Sequence, residues 1–325
     1  MRCRSTPTAS AAATALPSAK TVIDPVVGVR LALYLDLMLV FGLTAVTWHM
    51  PSEKPAFRRY KRVAGVGALI GVALSAAGLV MVTAAMGGTA LREVDLATAL
   101  SVANETAAGM AIKVRIVALI AVAAFAALTG VTRLARFGMT AGGGVALASL
   151  AWLGHGARDD GGVGTIHLAA DIVHLLAAAV WAGALVALTG LLFRPTARID
   201  AAHLSRSHTA LAGFATVGTV VVGLIVVSGL VNSWLLVGPG QLGSLATTLY
   251  GKLLVAKLAL FAAMLGLAAS NRFRLTPRLA RTGANDIGAA VRALRLSLAM
   301  ETSAAVAVLA LVAWFGTLAP PIDAM

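Results

Sequence analysis

The chain has 325 residues, of which 59% are hydrophobic and only 12% are charged, and its net charge is +13. A soluble domain carries about 25% charged residues, so this composition excludes an ordinary soluble protein and indicates that most of the chain faces lipid. The positive charge does not form a basic stretch with interleaved aromatic residues, so a nucleic-acid partner is not expected. The single cysteine, Cys3, excludes a disulfide within the chain and a cysteine-based zinc site.

The N-terminal residues 1–24 are rich in Ala, Ser, Thr and Pro and lack the apolar core of a signal peptide. We predict a disordered arm there, an eight-helix membrane domain over 25–319, and a short periplasmic tail over 320–325. A spanning helix needs about 20 mostly apolar residues. The predicted fold is therefore an all-α polytopic membrane bundle with about eight transmembrane helices, at 26–49, 63–87, 109–130, 138–154, 166–192, 209–237, 249–269 and 298–318.

The connections between these spans alternate in charge. Most of the 26 basic residues fall after spans one, three, five and seven, whereas the other connections are acidic on balance. The positive-inside rule places the basic connections in the cytoplasm and both termini on the opposite side of the membrane, which is the periplasmic side if the membrane is a bacterial inner membrane. Among the periplasmic connections, 88–108 is long enough for a short helix, and the arginine-rich connection 270–297 is predicted to be partly helical. The net charge therefore indicates topology, and the lipid bilayer is the first expected partner.

Ionisable residues inside a span are costly in lipid and mark candidate functional sites. Span five carries His167, Asp171 and His174 at i, i+4 and i+7, which places them on one stripe of a helix that begins at the outer surface. His155 ends span four at the same surface. Imidazole suits copper, zinc, iron and nickel, and a carboxylate in contact with it fixes its tautomer. These four residues are the predicted metal site, although a membrane histidine can also simply hydrogen-bond a neighbouring helix.

Other ionisable and thioether side chains extend this candidate site. Lys257 in span seven is expected to pair with either Asp171 or Asp36, and Asp171 could instead orient a histidine. Thioether sulfur favours Cu(I), although gap-filling is the favoured explanation for membrane methionines. The residues of the candidate pathway are Asp36, Met38, Met81, Met86, Met110 and Lys257.

Glu301, near the cytoplasmic end of span eight, is expected to pair with an arginine such as Arg272 or Arg274. The sequence contains no Walker loop, dinucleotide fingerprint, HExxH motif or nucleophile elbow. An ATP-driven pump is therefore excluded for this chain alone, and we do not expect an enzyme.

Several stretches resemble the bacterial copper-resistance protein D family. These stretches are HLAADIVHLLAAAVWAGAL (167–185), SGLVNSWLLVG (228–238), TLYGKLLVAKLALF (248–261), NRFRLTP (271–277) and LRLSLAME (294–301). They occur in the family's order and cover most of 150–318, whereas spans one to four are similar more loosely. The resemblance implies an eight-helix inner-membrane protein that takes up copper from the periplasm, often beside a small periplasmic copper-binding protein. It also implies that His155, His167 and His174 form the outer copper site.

Three functional hypotheses follow. The leading one is copper binding at the periplasm-facing histidines and movement of the ion toward the cytoplasm. The alternative is a haem b-binding redox or assembly protein that uses the same histidines, and a third is a copper sensor or assembly partner that does not transport. Residue spacing does not separate copper from haem, so metal analysis and an absorption spectrum of the purified protein are the discriminating measurements.

Overall fold

The computed structural model describes residues 25–49, 54–128, 130, 132–154, 161–193, 201–238, 240, 243–281 and 287–318, and every regular element in these ranges is helical. The α-helices are α1 (Pro25–Val46), α2 (Lys54–Gly87), α3 (Leu96–Glu105), α4 (Ala107–Ala127), α5 (Arg133–Ala148), α6 (Gly161–Leu192), α7 (Ala201–Val237), α8 (Ser244–Thr247), α9 (Leu249–Ser270), α10 (Thr276–Arg281) and α11 (Ile287–Phe315). Short 3₁₀ turns occupy Leu91–Glu93 and Ala151–Leu153, and a π-helical turn, Asn271–Leu275, joins α9 to α10.

Within the described ranges, eight helical segments are long and apolar enough to cross a bilayer, which confirms the predicted all-α fold and its number of spans. These segments are Pro25–Val46, Ala56–Gly87, Ala107–Ala127, Arg133–Leu153, Gly161–Leu192, Thr209–Val237, Leu249–Arg278 and Gly288–Phe315. The predicted arm over 1–24 and the tail over 320–325 lie outside the described residues.

Three helices continue beyond the apolar stretch of the predicted span, and for α11 this agrees with the partly helical connection predicted over 270–297. α2 begins at Lys54 instead of 63, α6 at Gly161 instead of 166, and α11 at Ile287 instead of 298. Hydropathy detects only the lipid-facing part of a helix, whereas the backbone hydrogen bonds propagate into polar flanks because each added residue contributes another bond. The arginine-rich connection is consequently helical over most of its described length.

The predicted short helix in the connection 88–108 is confirmed by α3. Asp95 precedes its first turn, and its carboxylate accepts a hydrogen bond from the backbone N–H of Thr98 at 2.7 Å. This bond satisfies one of the N–H groups that a helix N-terminus leaves unpaired. Since it also stabilises the charged carboxylate, it lowers the pKa of Asp95.

The bundle consists of two packed halves joined by α1 and α6. The N-terminal half (α1–α5) encloses a core that includes Leu37, Leu119 and Leu147, and the C-terminal half (α6–α11) encloses a core around Trp181 and Leu294. α1 packs against α2, α5, α6 and α11, so it contacts both halves.

The contact between α1 and α6 depends on two glycines. A Cβ atom on either Gly42 or Gly183 would overlap the backbone of the other helix. Small residues allow membrane helices to approach this closely, because lipid supplies no hydrophobic drive for their association and close packing must replace it. The two halves are therefore held at short range along this line.

The bundle has two ends that differ in charge. The "terminal end" is where α1 begins and α11 ends, and there the guanidinium of Arg30 lies against Gly316. The "basic end" is where α1 ends and α2 begins. At the basic end Arg295 Nε donates a hydrogen bond to the Leu192 carbonyl at 2.9 Å, and Lys61 donates to the Leu128 carbonyl. These cations bind the negative ends of α6 and α4, so part of the basic charge stabilises helix ends.

Candidate functional site

The three candidate ligands on α6 lie inside the bundle. His167, Asp171 and His174 follow Gly161 by six, ten and thirteen residues, which corresponds to about 9, 15 and 20 Å along the helix axis. His167 is 1% exposed. α6 starts five residues earlier than the apolar pattern indicates, so His167 lies nearly two turns inside the helix, and the position of the stripe relative to the membrane surface stays a prediction.

Asp171 is bonded to α7 and lies near two cationic or titratable groups. Its Oδ1 accepts a hydrogen bond from Asn232 Nδ2 at 2.6 Å, and the carboxylate interacts electrostatically with His167 and with Lys257. The sequence left Asp171 and Asp36 open as partners of Lys257; in the structure the charge of Asp171 acts on Lys257, although these two described residues do not form a direct ion pair. Asp171 therefore lies beside both a histidine and the lysine.

Asp36 faces the N-terminal half. Its carboxylate lies in a notch on α2, where a Cβ on Gly67 would come within 3.1 Å of Oδ1 and one on Gly71 would approach Oδ2 at 2.5 Å. The same Gly71 position meets Leu119 on α4. The structure therefore surrounds Asp36 with α2 and α4 instead of bringing it to Lys257.

His174 has an orientation that leaves one ring nitrogen available. Its Nδ1 lies 3.1 Å from Ser228 Oγ on α7, and the same hydroxyl lies 2.6 Å from the Leu224 carbonyl. A serine hydroxyl has a single proton. Because the carbonyl can only accept, that proton goes to Leu224, and Ser228 must accept from Nδ1–H. The lone pair of His174 is consequently on Nε2, the nitrogen that can bind a metal.

The "histidine cavity" is a space of about 270 Å³ lined by His174, Lys257, Met38 and Trp181 together with aliphatic side chains. The ammonium group of Lys257 also lies 5.7 Å from the centre of the Phe315 ring. Met38 is 4% exposed, so its thioether is buried next to the histidine. The structure thus brings Met38 and Lys257 together with His174.

A second polar cluster lies toward the basic end. Glu301, on α11, is 2% exposed; its Oε1 accepts from Trp181 Nε1 at 2.8 Å and its Oε2 from Asn271 Nδ2 at 3.0 Å. The predicted pairing of Glu301 with Arg272 was wrong, since Arg272 donates to Thr219 on α7. Residue spacing misses such partners because they come from three different helices.

The "glutamate cavity" is a space of about 260 Å³ lined by Glu301, Asn271, Arg272 and Trp181. Trp181 and Leu185 also line the histidine cavity, so the two spaces adjoin at these side chains. Asn271 opens the π-helical turn, a local widening of the helix that often occurs at functional sites. The polar groups of the C-terminal half therefore continue on the far side of Trp181.

The remaining candidate pathway residues are dispersed. Met81 lines the "arginine cavity", a space of about 180 Å³ at the terminal end that also contains Arg30 and Arg115. Met86 and Met110 are 61% and 50% exposed on the outer surface. The structure therefore does not bring these three methionines to the histidines.

The fourth candidate ligand, His155, lies outside the described residues. The preceding residue, Gly154, is described, and a Cβ on it would lie 3.6 Å from Asp171 Oδ2. Among the residues that the structure describes, no three His, Cys, Asp or Glu side chains are close enough to hold one metal ion. The α6 residues therefore supply nitrogen and oxygen donors, but in this conformation they do not form a three-ligand site by themselves.

Comparison with known proteins relates the two halves to known sequences. Residues 21–165 match the family described as copper resistance protein D-like, N-terminal domain, and residues 208–315 match the family described as copper resistance protein D. A curated protein, copper resistance protein D of Pseudomonas syringae pv. tomato, is 39% identical over 310 residues, which cover 93% of this chain and 99% of that protein. No solved structure matches the chain.

Proposed function

The chain belongs to the copper resistance protein D family and is a multi-pass membrane protein, and from this premise we propose that it binds copper on α6 and moves the ion across the bacterial inner membrane. The observation that carries the proposal is the row of polar groups inside the C-terminal half, which runs from Asp171 through His174 and Trp181 to Glu301.

The first step is binding at the terminal end of this row. The donors there are His167, Asp171 and the Nε2 atom of His174, and imidazole with carboxylate suits copper. Ser228 fixes the His174 ring from the side opposite to the metal-binding nitrogen, as second-shell partners of metal ligands do. We include His155 in this site because its chain neighbour, Gly154, lies beside Asp171.

The second step is passage between the two cavities. An ion in the histidine cavity has the Met38 thioether and His174 nearby, and one in the glutamate cavity has the Glu301 carboxylate and Asn271 Oδ1. Movement from one to the other passes the Trp181 side chain, because it lines both spaces. Asp36 is not on this route, since α2 and α4 surround its carboxylate.

The direction of movement follows from topology. The positive-inside rule places the basic end in the cytoplasm, so copper would enter at the terminal end from the periplasm. A free cation is repelled by the arginines at the exit, so we propose that an acidic or thiol carrier receives it. A periplasmic copper-binding protein is the corresponding donor at the terminal end.

The proposal is tested by replacing both α6 histidines. Cells that express the His167→Ala, His174→Ala double variant should accumulate no more copper than cells without the protein, whereas His49→Ala, at an exposed position of the basic end, should accumulate as much as wild type. Equal copper accumulation by the double variant and the wild type would exclude the proposed transport. Uptake into proteoliposomes distinguishes a transporter from a copper sensor.

The haem b alternative requires two histidines on facing helices, and the candidate from the preceding span, His155, lies outside the described residues. His167 and His174 lie on the same face of one helix, about 10 Å apart along its axis, so they do not sit on opposite faces of one porphyrin ring. An absorption spectrum decides between the two ligands. The copper proposal predicts purified protein without a Soret band, and a Soret band that disappears in His174→Ala would favour haem.

A further inference from the structure

The arginine cavity contains a buried cation that the copper route does not use. Arg115, on α4, is 1% exposed; its Nε donates to Ser149 Oγ at 2.9 Å, and its Nη2 has no hydrogen-bond partner among the described residues. A guanidinium remains charged in proteins, and an unpaired N–H of a buried charged group is expensive. The Nη2 group therefore requires an acceptor.

A second guanidinium reaches the same cavity from α1. Arg30 lies five residues after Pro25, and its Nε is also buried without a partner among the described residues. Tyr34, one turn further along α1, lines the cavity beside the two arginines. Two cations from different helices thus present unsatisfied N–H groups to one space.

The described residues that line this cavity include no carboxylate. Asp171 lies behind one lining residue, Gly154, but its Oδ1 is bonded to Asn232 on the other side. Arg115 is buried and Arg30 half-buried, and two such positive charges without a counter-charge among the described lining residues are unfavourable in a bundle surrounded by lipid. The charge balance of the cavity therefore calls for an anion.

The size and walls of the cavity limit which anion fits. Its volume of about 180 Å³ equals roughly six times the 30 Å³ that one water molecule occupies, so an oxyanion with a substituent can enter. Apart from the two arginines, Tyr34 and two glycines, the lining consists of valine, leucine, isoleucine and methionine side chains. Arg30 and Arg115 lie about 7.5 and 12 Å along the axis from the first residues of α1 and α4. Guanidinium groups bind phosphate through two parallel hydrogen bonds.

We propose that Arg30 and Arg115 form a binding site for a phosphate group in the arginine cavity. The group is supplied either by the headgroup of an anionic phospholipid, with its apolar part against the aliphatic wall, or by free phosphate. The site lies in the N-terminal half and does not depend on the copper proposal.

The site is tested by thermal unfolding of the full chain in neutral detergent and phosphate-free buffer. A ligand that binds only the folded state raises the midpoint temperature in proportion to its occupancy. The probes are inorganic phosphate, with sodium chloride at the same ionic strength as reference, and short-chain phosphatidylglycerol, with short-chain phosphatidylcholine as reference. Stabilisation by phosphatidylglycerol alone identifies the lipid source, and stabilisation by inorganic phosphate identifies the free anion.

Two variants give the result its specificity. Arg30→Gln should raise the half-saturating concentration of the active probe by about tenfold or more, because a charge-assisted bond is lost. Lys113→Gln removes one positive charge from the helix that carries Arg115, but Lys113 bonds Asn104 outside the cavity, so it should bind like wild type. Arg115→Gln is a second test if it folds. The proposal is overturned if neither phosphate probe stabilises wild type, if Arg30→Gln binds unchanged, or if Lys113→Gln weakens binding equally.

Discussion

The two halves of the bundle bury charged side chains in different ways. In the N-terminal half the buried acid and the buried arginine are apart, with Asp36 in a glycine notch on α2 and Arg115 in the arginine cavity with Arg30. In the C-terminal half the polar groups follow one another, and two spaces of about 270 and 260 Å³ adjoin at Trp181. Isolated charges suit fixed binding or packing, whereas a connected row suits movement of an ion.

Both the proposed copper site and the contact between the two halves depend on one helix, α6. α6 supplies His167, Asp171, His174 and Trp181, and it packs against α1 on one side and α7 and α11 on the other. It is therefore both the carrier of the proposed copper ligands and the boundary between the halves. Substitutions at different positions of α6 should therefore affect copper binding and the packing of the two halves independently.

The largest expected effect comes from the close contact between α1 and α6 at Gly42 and Gly183. Gly183→Ala places a methyl group in the backbone of α1, and overpacking of this kind costs about 1–3 kcal/mol. Thermal unfolding in detergent should show a clearly lower midpoint or a loss of folded protein. Gly190→Ala, on the same helix in open space, should unfold at or above the wild-type temperature. A Gly183→Ala variant as stable as wild type would contradict the close contact.

The second prediction compares Asp171 in the C-terminal half with Asp36 in the N-terminal half. Asp171→Asn should weaken copper binding about 10- to 100-fold, because it removes a carboxylate that lies beside His167 and balances Lys257. Asp36→Asn should leave copper binding unchanged. Copper titration against a competing chelator measures both. Equal losses in the two variants would mean that the acids act in the same way and would remove the distinction between the halves.

A smaller effect is expected beyond Trp181. Glu301→Gln keeps the side-chain shape but removes the charge that would stabilise a cation in the glutamate cavity, so copper uptake into proteoliposomes should slow by about tenfold, equivalent to about 1.4 kcal/mol. Copper binding at the α6 histidines should persist. Glu93→Gln, an exposed acid paired with Arg92, is the matched control. A wild-type uptake rate in Glu301→Gln would show that the route ends before this residue.

The smallest effect concerns the thioethers. Met38→Leu keeps the volume of a side chain that lines the histidine cavity, so stability should change by less than about 1.5 kcal/mol. Uptake of Cu(I) should fall by less than about tenfold, since sulfur is a soft ligand for that ion. Met86 lies on the outer surface of the bundle, so Met86→Leu should leave Cu(I) uptake unchanged. If both variants behave like wild type, Met38 only fills space.

The sequence was sufficient for properties that belong to a single helix. Apolar length predicts the eight spans, and the spacing of His167, Asp171 and His174 predicts that they share one face of α6. Arg115, one of two basic residues inside span three, carried the same signal as Asp36 and was missed because the basic residues were interpreted through the connections. The rule that an ionisable residue inside a span marks a site would have found it.

The tertiary structure decided everything that depends on how helices are rotated against one another. It brought Asp171, and not Asp36, within electrostatic range of Lys257 and gave Glu301 the partners Trp181 and Asn271 instead of an arginine. Hydropathy and periodicity describe the faces of one helix, whereas partners come from neighbouring helices whose packing depends on small contacts such as Gly42 against Gly183. The sequence alone therefore determined a membrane bundle with a polar stripe on α6, and only the packing showed which groups that stripe meets.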